Sequence, residues 1–96
     1  MAKGYWIAVY TKVTNPDAVA RYAAEAAPLH AAAGARYIVR GIPAAIFDNG
    51  QKLRTIVLEF PSVEAAVAVY NSPAYQAAAK HLKGAAERDL RIVEGA

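Results

Sequence analysis

The chain has 96 residues and a mass of 10.2 kDa, room for a single domain, and it lacks the cysteine that a disulfide framework, a thiol nucleophile or a zinc ribbon requires. Hydrophobic residues make up 56% of it and charged residues 20%, which excludes intrinsic disorder. The net charge of +3 comes from scattered basic residues rather than a basic stripe, so we expect no binding to nucleic acid.

The first two elements are predicted to be a strand and a helix. Residues 5–13 are rich in β-branched and aromatic side chains, which is typical of a strand. Asn15 can then cap a helix, Pro16 suits its first position and Asp17 complements its dipole. Apolar residues recur at helical spacing up to Gly34, where the helix should end because glycine accepts the left-handed conformation.

Two strands and the turn between them are predicted next. Residues 36–40 and 54–60 have the composition of strands, and the second is the clearest strand in the chain. Asp48-Asn49-Gly50 is a strong turn signal between them. Residues 44–47 are expected to add a short extended piece.

The last part of the chain predicts a divided helix and a final strand. Ser62 can cap a helix over residues 63–70, and Ser72-Pro73 repeats this device and begins a second piece that ends at Gly84. Residues 90–94 form the last predicted strand. The order β-α-β-β-α-β predicts an α+β fold, the ferredoxin-like antiparallel sheet with helices on one face, as one domain over residues 1–96.

The two faces of the predicted sheet are both partly apolar. In the first strand, Tyr5, Ile7 and Val9 lie on the side opposite Trp6 and Tyr10. A monomer with helices on one face would show polar residues on the other. We therefore expect a homodimer, with two sheets packed face to face as a dimeric α+β barrel.

No segment predicts export or membrane insertion. The longest uncharged run, residues 65–79, is interrupted by Asn71-Ser72-Pro73, whereas a membrane helix needs about 20 apolar residues. The start of the chain lacks the pattern of a secretory signal. We expect a soluble, cytoplasmic protein with no membrane partner.

Four motifs in order resemble a family of small proteins described as a domain of unknown function within the dimeric α+β-barrel superfamily. They are Arg36-Tyr37-Ile38-Val39-Arg40-Gly41, Val57-Leu58-Glu59-Phe60-Pro61-Ser62, Tyr70-Asn71-Ser72-Pro73-Ala74-Tyr75-Gln76 and Ile92-Val93-Glu94-Gly95. The resemblance covers nearly the whole chain. The resemblance implies membership in a superfamily that includes cofactor-free monooxygenases, lactone isomerases, dehydratases and haem-handling proteins. Members of the family often carry an arginine where this chain has Leu82, so either Lys80, His81 or Lys83 replaces any ligand-binding role of that arginine or the role is lost here.

Glu59 is the carboxylate singled out by its position. It lies inside an apolar strand, on the side opposite the helix-facing residues, where an unpaired charge is costly and the pKa is perturbed. One interpretation is a general acid or base at the wall of the lumen between two sheets. The other is a structural ion pair with Arg40 or Arg54 on a neighbouring strand.

His30 is predicted on the apolar face of the first helix. It is either a proton shuttle beside a pocket or a core histidine satisfied by one hydrogen bond. His81 is predicted to be solvated. Two histidines 51 positions apart, with no cysteine, do not make a metal site, and nothing marks His30 as a haem ligand, so we expect neither a metal nor another cofactor.

The sequence predicts a pocket for a small organic molecule beside His30, between the first helix and the sheet. Tyr22, Tyr37 and Tyr75 would shape it, with Glu59 on its facing wall if the strand register allows. In an enzyme, Glu59 and His30 are the candidate acid and base, and Arg40 anchors an anionic or carbonyl group. The alternative is a non-catalytic ligand-binding or structural dimer.

Overall fold

The structure is a computed structural model and describes residues 2–96. Its elements are β1 (Gly4–Val13), α1 (Pro16–Ala32), β2 (Arg36–Gly41), β3 (Thr55–Phe60), α2 (Val63–Asn71), α3 (Pro73–Ala79), a 3₁₀ turn (Lys80–Leu82) and β4 (Ala86–Glu94). The strands form one antiparallel sheet in the order β2-β3-β1-β4. The predicted ferredoxin-like α+β fold, with its second helix in two pieces, is confirmed.

Helix α1 begins and ends where its sequence indicates. The Asn15 side chain accepts a hydrogen bond from the Ala18 N–H at 3.2 Å, and Pro16 occupies the first position, where it has no hydrogen bond to lose. Gly34 follows the helix with a φ of +80°, the left-handed conformation expected there.

The division between α2 and α3 is made by Ser72. Its Oγ donates to the Val69 carbonyl at 2.8 Å and accepts from the Tyr75 N–H at 3.2 Å. One hydroxyl therefore ends α2 and caps α3, and Pro73 after it suits a helix start. This joint directs the Tyr75 side chain into the core, where it is fully buried.

The core lies between the helices and one face of the sheet. Its largest fully buried side chains are Trp6, Phe60 and Tyr75, packed with smaller residues such as Ala26 and Ala66. Burying each of the large side chains contributes on the order of 2 kcal/mol relative to exposure. Alanines let α1 and α2 approach the sheet closely, so a small set of aromatic residues fills the interior.

The opposite face of the sheet carries no helix. Ile7 and Val9 of β1 and Val57 of β3 are only half-buried there, and Val93 of β4 is 47% exposed. Polar and charged residues, including Glu59, lie among these apolar side chains. We refer to this side, on which Ile7, Val9, Val57, Glu59 and Val93 lie, as the open face.

The structure departs from the sequence prediction in two places. Strand β4 begins at Ala86, four residues before the predicted start at Leu90, because pairing with the long β1 strand continues as far as Val13. Residues 44–47 form no strand; they belong to an irregular connection that turns at Asp48, whose φ is +55°. None of the helices within residues 2–96 combines the length and apolar character needed to cross a membrane.

Candidate functional site

A cavity of about 90 Å³ lies between α1 and the sheet, beside His30. This is where the sequence predicts a pocket. The walls are mainly apolar and aromatic, with charged groups from three arginines. The lining residues are Trp6, Ala8, Tyr10, Val19, Tyr22, Ala23, Ala26, His30, Tyr37, Arg40, Arg54, Ile56, Leu58 and Arg88.

His30 forms part of the inner wall and is 3% exposed. Aromatic rings surround it: the ring centroids of Trp6 and Phe60 lie 4.9 Å and 5.7 Å away, both in edge-on arrangements. Its Nδ1 is buried and has no hydrogen-bond partner among the described residues. Burial, with a smaller contribution from the positive charge of Arg88, lowers the pKa of His30 to about 4. At neutral pH the imidazole is uncharged, with one nitrogen able to accept a proton or a hydrogen bond.

A cluster of Arg88, Tyr22 and Tyr75 forms a second part of the site. Arg88 donates to the Tyr22 hydroxyl from Nη1 at 3.1 Å and to the Tyr75 hydroxyl from Nη2 at 2.9 Å. The two hydroxyl oxygens are 2.5 Å apart and share a hydrogen bond. Burial raises the pKa of both tyrosines, and the nearby guanidinium only partly opposes this. Both hydroxyls therefore stay protonated at neutral pH.

A bulge in β2 places Tyr37 and Arg40 on the same side of the sheet. Tyr37 lies opposite Leu58 and Arg40 opposite Ile56, with Ile38 as the extra residue between them. In a regular strand, residues three apart point to opposite faces. Because of the bulge, both side chains line the cavity, and the Arg40 guanidinium lies 4.8 Å from the centre of the Tyr37 ring.

Glu59 lies on the open face, away from this cavity. Its carboxylate accepts a hydrogen bond from the Tyr5 hydroxyl at 2.9 Å and pairs with Arg36 Nε at 3.1 Å. These contacts, the Tyr5 hydrogen bond first, hold the pKa of Glu59 below its usual value. The predicted pairing with Arg40 or Arg54 is wrong, since Arg36 is the β2 residue opposite Glu59 in the register.

The structure thus brings together most, but not all, of the predicted site residues. His30, Arg40, Tyr22 and Tyr37 line one cavity, and Tyr75 joins them through its hydrogen bonds. Glu59 does not line its facing wall, so Glu59 and His30 cannot contact one molecule bound there.

Sequence reasoning missed Arg88, because it placed residue 88 before the last strand. The signal was present: Ala86, Arg88, Leu90 and Ile92 alternate with more polar residues, so Arg88 shares the helix-facing side. The sequence indicates Arg54 only as a possible ion-pair partner of Glu59, and it does not single out Trp6 among the aromatic residues, although both line the cavity.

The remaining histidine lies outside the cavity. His81, which the sequence predicts to be solvated, is one-third exposed, and its Nε2 lies 2.6 Å from a carboxylate oxygen of Glu25 on α1 in an exposed contact. Within residues 2–96, His, Asp and Glu side chains nowhere gather in a group of three or more that would suit a metal ion.

The element order and the sheet topology define this chain as a small ferredoxin-like α+β protein. Residues 3–96 match the model of the family described as domain of unknown function (DUF1330), and the chain belongs to that family. No curated protein matches the chain in sequence.

Solved structures with low sequence identity share the fold. The RPA0582 protein of unknown function from Rhodopseudomonas palustris is 21% identical, with a TM-score of 0.71 over 97% of this chain and 80% of that one. SnoaB, a cofactor-independent oxygenase from Streptomyces nogalater, is 10% identical, with a TM-score of 0.66 over 97% and 92%. A dimeric ferredoxin-like protein of unknown function from Thermobifida fusca is 18% identical, with a TM-score of 0.59 over 99% and 91%.

Proposed function

We propose that this protein is a homodimer that binds a small organic molecule, without a cofactor, in the cavity between α1 and the sheet. The observation that carries the proposal is His30, a buried polar side chain at the wall of the cavity whose Nδ1 has no hydrogen-bond partner among the described residues. A buried group of this kind normally has a hydrogen bond, and leaving it unpaired costs about 1–3 kcal/mol. A ligand in the cavity that contacts the imidazole gives this polar ring a partner that the described residues do not supply.

The walls suit a flat organic molecule better than a polar one. Trp6, Tyr22 and Tyr37 offer aromatic surface, while Arg40 supplies a charge that orients an anionic or carbonyl group. Tyr75 acts by holding the Tyr22 hydroxyl in place.

Occupancy of the cavity is tested by narrowing it. Ala23 is exposed on α1 and lines the cavity, so Ala23→Leu adds volume there without disturbing the core. We expect a small molecule to be released from denatured wild-type protein, as detected by mass spectrometry, and to be reduced at least tenfold in Ala23→Leu.

The matched control is Ala20→Leu, an exposed position on the same helix that does not line the cavity. It should retain the molecule at the wild-type level. Equal amounts in Ala23→Leu and the wild type, or no associated molecule in either, would argue against this site.

If the bound molecule is transformed, His30 is the group placed to accept its proton. An uncharged imidazole accepts a proton in isomerase-like or cofactor-free monooxygenase-like reactions, and the structural likeness to SnoaB supports the second class. A pKa near 4 makes this a weak base, so a bound anion that raises the pKa would increase its basicity. Glu59 could act only on a second molecule, bound at the open face. The alternative remains a non-catalytic ligand-binding or structural dimer, in which Glu59, Tyr5 and Arg36 act only as a polar cluster of the interface.

Dimerisation through the open face is supported by its apolar residues and by the dimeric relative from Thermobifida fusca. Ile7, Val9 and Val57 form an apolar centre, and a second copy packed face to face would bury it. The Glu59 and Arg36 side chains satisfy each other at the margin, which lowers the cost of covering them.

Light scattering at micromolar concentration should give about twice the chain mass of 10.2 kDa. Val57→Lys places a charge at the centre of the open face and should shift the protein toward monomer. Val67→Lys, at an exposed position on α2, is the control and should remain dimeric. A wild-type monomer, or a Val57→Lys protein that stays fully dimeric, would contradict this mode of assembly.

A further inference from the structure

We infer that the ligand of the cavity is a small carboxylate, whose carboxyl group binds Arg88 and the Tyr22 hydroxyl; this rests on the cavity being the ligand site proposed above. Arg88 is a half-buried residue of the edge strand β4. It is not among the site residues that were predicted from the sequence. Its position, its free donors and the charge of the walls all point to this chemistry.

The charge around the cavity is unbalanced. Arg40, Arg54 and Arg88 line it, and the described lining residues include no Asp or Glu. No carboxylate within residues 2–96 lies within 4.0 Å of these three guanidinium groups, whereas Arg36 and Arg91 each have one. A cation that is half-buried without a counter-ion is costly, and an anionic ligand removes that cost.

Arg88 has donors left for a ligand. A guanidinium carries five N–H groups, and the two tyrosine hydroxyls take one each from Nη1 and Nη2. Of the remaining three N–H groups, one faces the Tyr10 hydroxyl in a weaker contact, which leaves two for a carboxylate.

The tyrosine pair has one hydroxyl proton to spare. Tyr22 and Tyr75 share a single hydrogen bond, so one of their two hydroxyl protons is not used in it. Tyr75 is fully buried and does not line the cavity, whereas Tyr22 does. An unpaired O–H is less costly beside the cavity than in the core. Either hydroxyl can donate this bond; when a carboxylate is bound, the arrangement that serves it has Tyr75 donating to Tyr22 and Tyr22 donating to the ligand.

The size and composition of the cavity favour a carboxylate over a phosphate. The volume of about 90 Å³ is smaller than the roughly 150 Å³ of an engineered cavity that binds benzene. A short or flat acid therefore fits only if part of it extends out of the mouth of the cavity, toward solvent. Phosphate sites usually use glycine loops or helix N-termini, and the described lining residues include neither. The exposed Arg40 and Arg54 mark the side from which an anion would enter.

The test compares acids with their neutral amides. Trp6 is the single tryptophan, it lines the cavity, and its fluorescence should report binding. Crotonate and benzoate are titrated beside crotonamide and benzamide at constant ionic strength. Whichever of the two acids has the higher affinity should bind wild-type protein at least tenfold more tightly than its own amide.

Variants assign this preference to Arg88. Arg88→Lys keeps a positive charge but loses the planar set of donors, and it should weaken acid binding at least tenfold with less than twofold effect on the amide. If Arg88→Lys fails to fold, Tyr22→Phe provides a second test, and it should weaken binding of the acid several-fold. Arg91→Lys is the matched control, because Arg91 lies on the same strand and pairs with Asp89 outside the cavity. It should bind as the wild type does.

The outcomes separate the two proposals. Equal binding of acid and amide, or acid binding that neither Arg88→Lys nor Tyr22→Phe weakens, overturns the carboxylate inference and leaves the cavity as a ligand site. If no acid saturates the protein at millimolar concentration, the inference is overturned as well. The cavity itself is then judged by the molecule released from wild-type protein and from Ala23→Leu.

Discussion

Lowering the pH from 6.5 to 4 should destabilise the wild-type protein by about 3 kcal/mol through His30 alone, and His30→Phe should abolish this loss. The folded state holds the pKa of His30 at about 4, against 6.5 for the ordinary side chain. Each unit of difference corresponds to about 1.4 kcal/mol. Because the folded pKa is the lower one, the unfolded chain takes up the proton first, and acidification favours unfolding.

The pH range over which this stability is lost follows from the two pKa values of His30. The contribution of His30 is fully present above pH 6.5 and is lost progressively as the pH falls to about 4. Groups that face His30 come from every packed element: Arg88 of β4, Tyr37 of β2 and Tyr75 of α3. Burial raises the pKa of Tyr75, so this hydroxyl keeps its proton in the range, and the difference in slope between the wild type and His30→Phe belongs to the imidazole.

Urea unfolding at pH 6.5, 5.5 and 4, at one protein concentration, provides the measurement. Phenylalanine fits the aromatic surroundings of residue 30 and removes both nitrogens. Glu59 and Asp89, whose pKa values are lowered by their hydrogen bonds in the folded protein, also stabilise it less as the pH falls, but they are common to both proteins and cancel in the difference. Parallel pH profiles for the wild type and His30→Phe would show that the imidazole is not held neutral by burial.

Gly4→Ala should destabilise the fold by about 3 kcal/mol, the upper end of the usual cost of overpacking. Gly4 lies in β1 between Phe60 of β3 and Glu94 of β4, so its backbone is fixed from both sides. A Cβ there would lie 2.6 Å from the carbonyl oxygen of Ser62 and 2.7 Å from the nitrogen of Val63. These atoms form the start of α2, and backbone cannot turn aside as a flexible side chain can.

Thermal unfolding followed by circular dichroism should show a fall in Tm of roughly 10–20 °C for this variant. Gly41→Ala is the matched control: Gly41 is also a strand residue, and a Cβ there meets nothing within 4 Å. Its Tm should stay within a few degrees of the wild type, since such a change is worth about 0.5 kcal/mol or less. A Gly4→Ala protein as stable as Gly41→Ala would show that α2 can move away from β1 at little cost.

Local signals in the sequence were sufficient for most of the fold. Asn15-Pro16 and Ser72-Pro73 begin helices because their side-chain oxygens and missing N–H groups match the free ends of a helix, whatever the rest of the chain does. The position of the cavity beside His30 also followed from local pattern. A polar residue on a face of small side chains leaves space next to it.

Features that depend on pairing between distant strands could not be predicted. The bulge at Ile38 decides that Tyr37 and Arg40 share the cavity, and it is set by contacts with β3 rather than by any residue of β2 alone. The same register selects Arg36 as the partner of Glu59. Arg88 was missed for a related reason. The charged residues 87–89 do not have the composition of a strand, and they form the first part of β4 only because they pair with β1.

The joint at Ser72 has a consequence for comparing chains that share this fold. Tyr75 reaches Arg88 after a helix that stops at residue 71 and starts again at Pro73, with the backbone of Ser72 extended between them. In one uninterrupted helix, each residue would advance by about 100° around a single axis, and the tyrosine would point elsewhere. A break at this place, with serine before proline and tyrosine two residues later, is therefore a structural marker for chains that build the same guanidinium site. Relatives with a continuous helix there should lack the contact between this tyrosine and an arginine of the last strand.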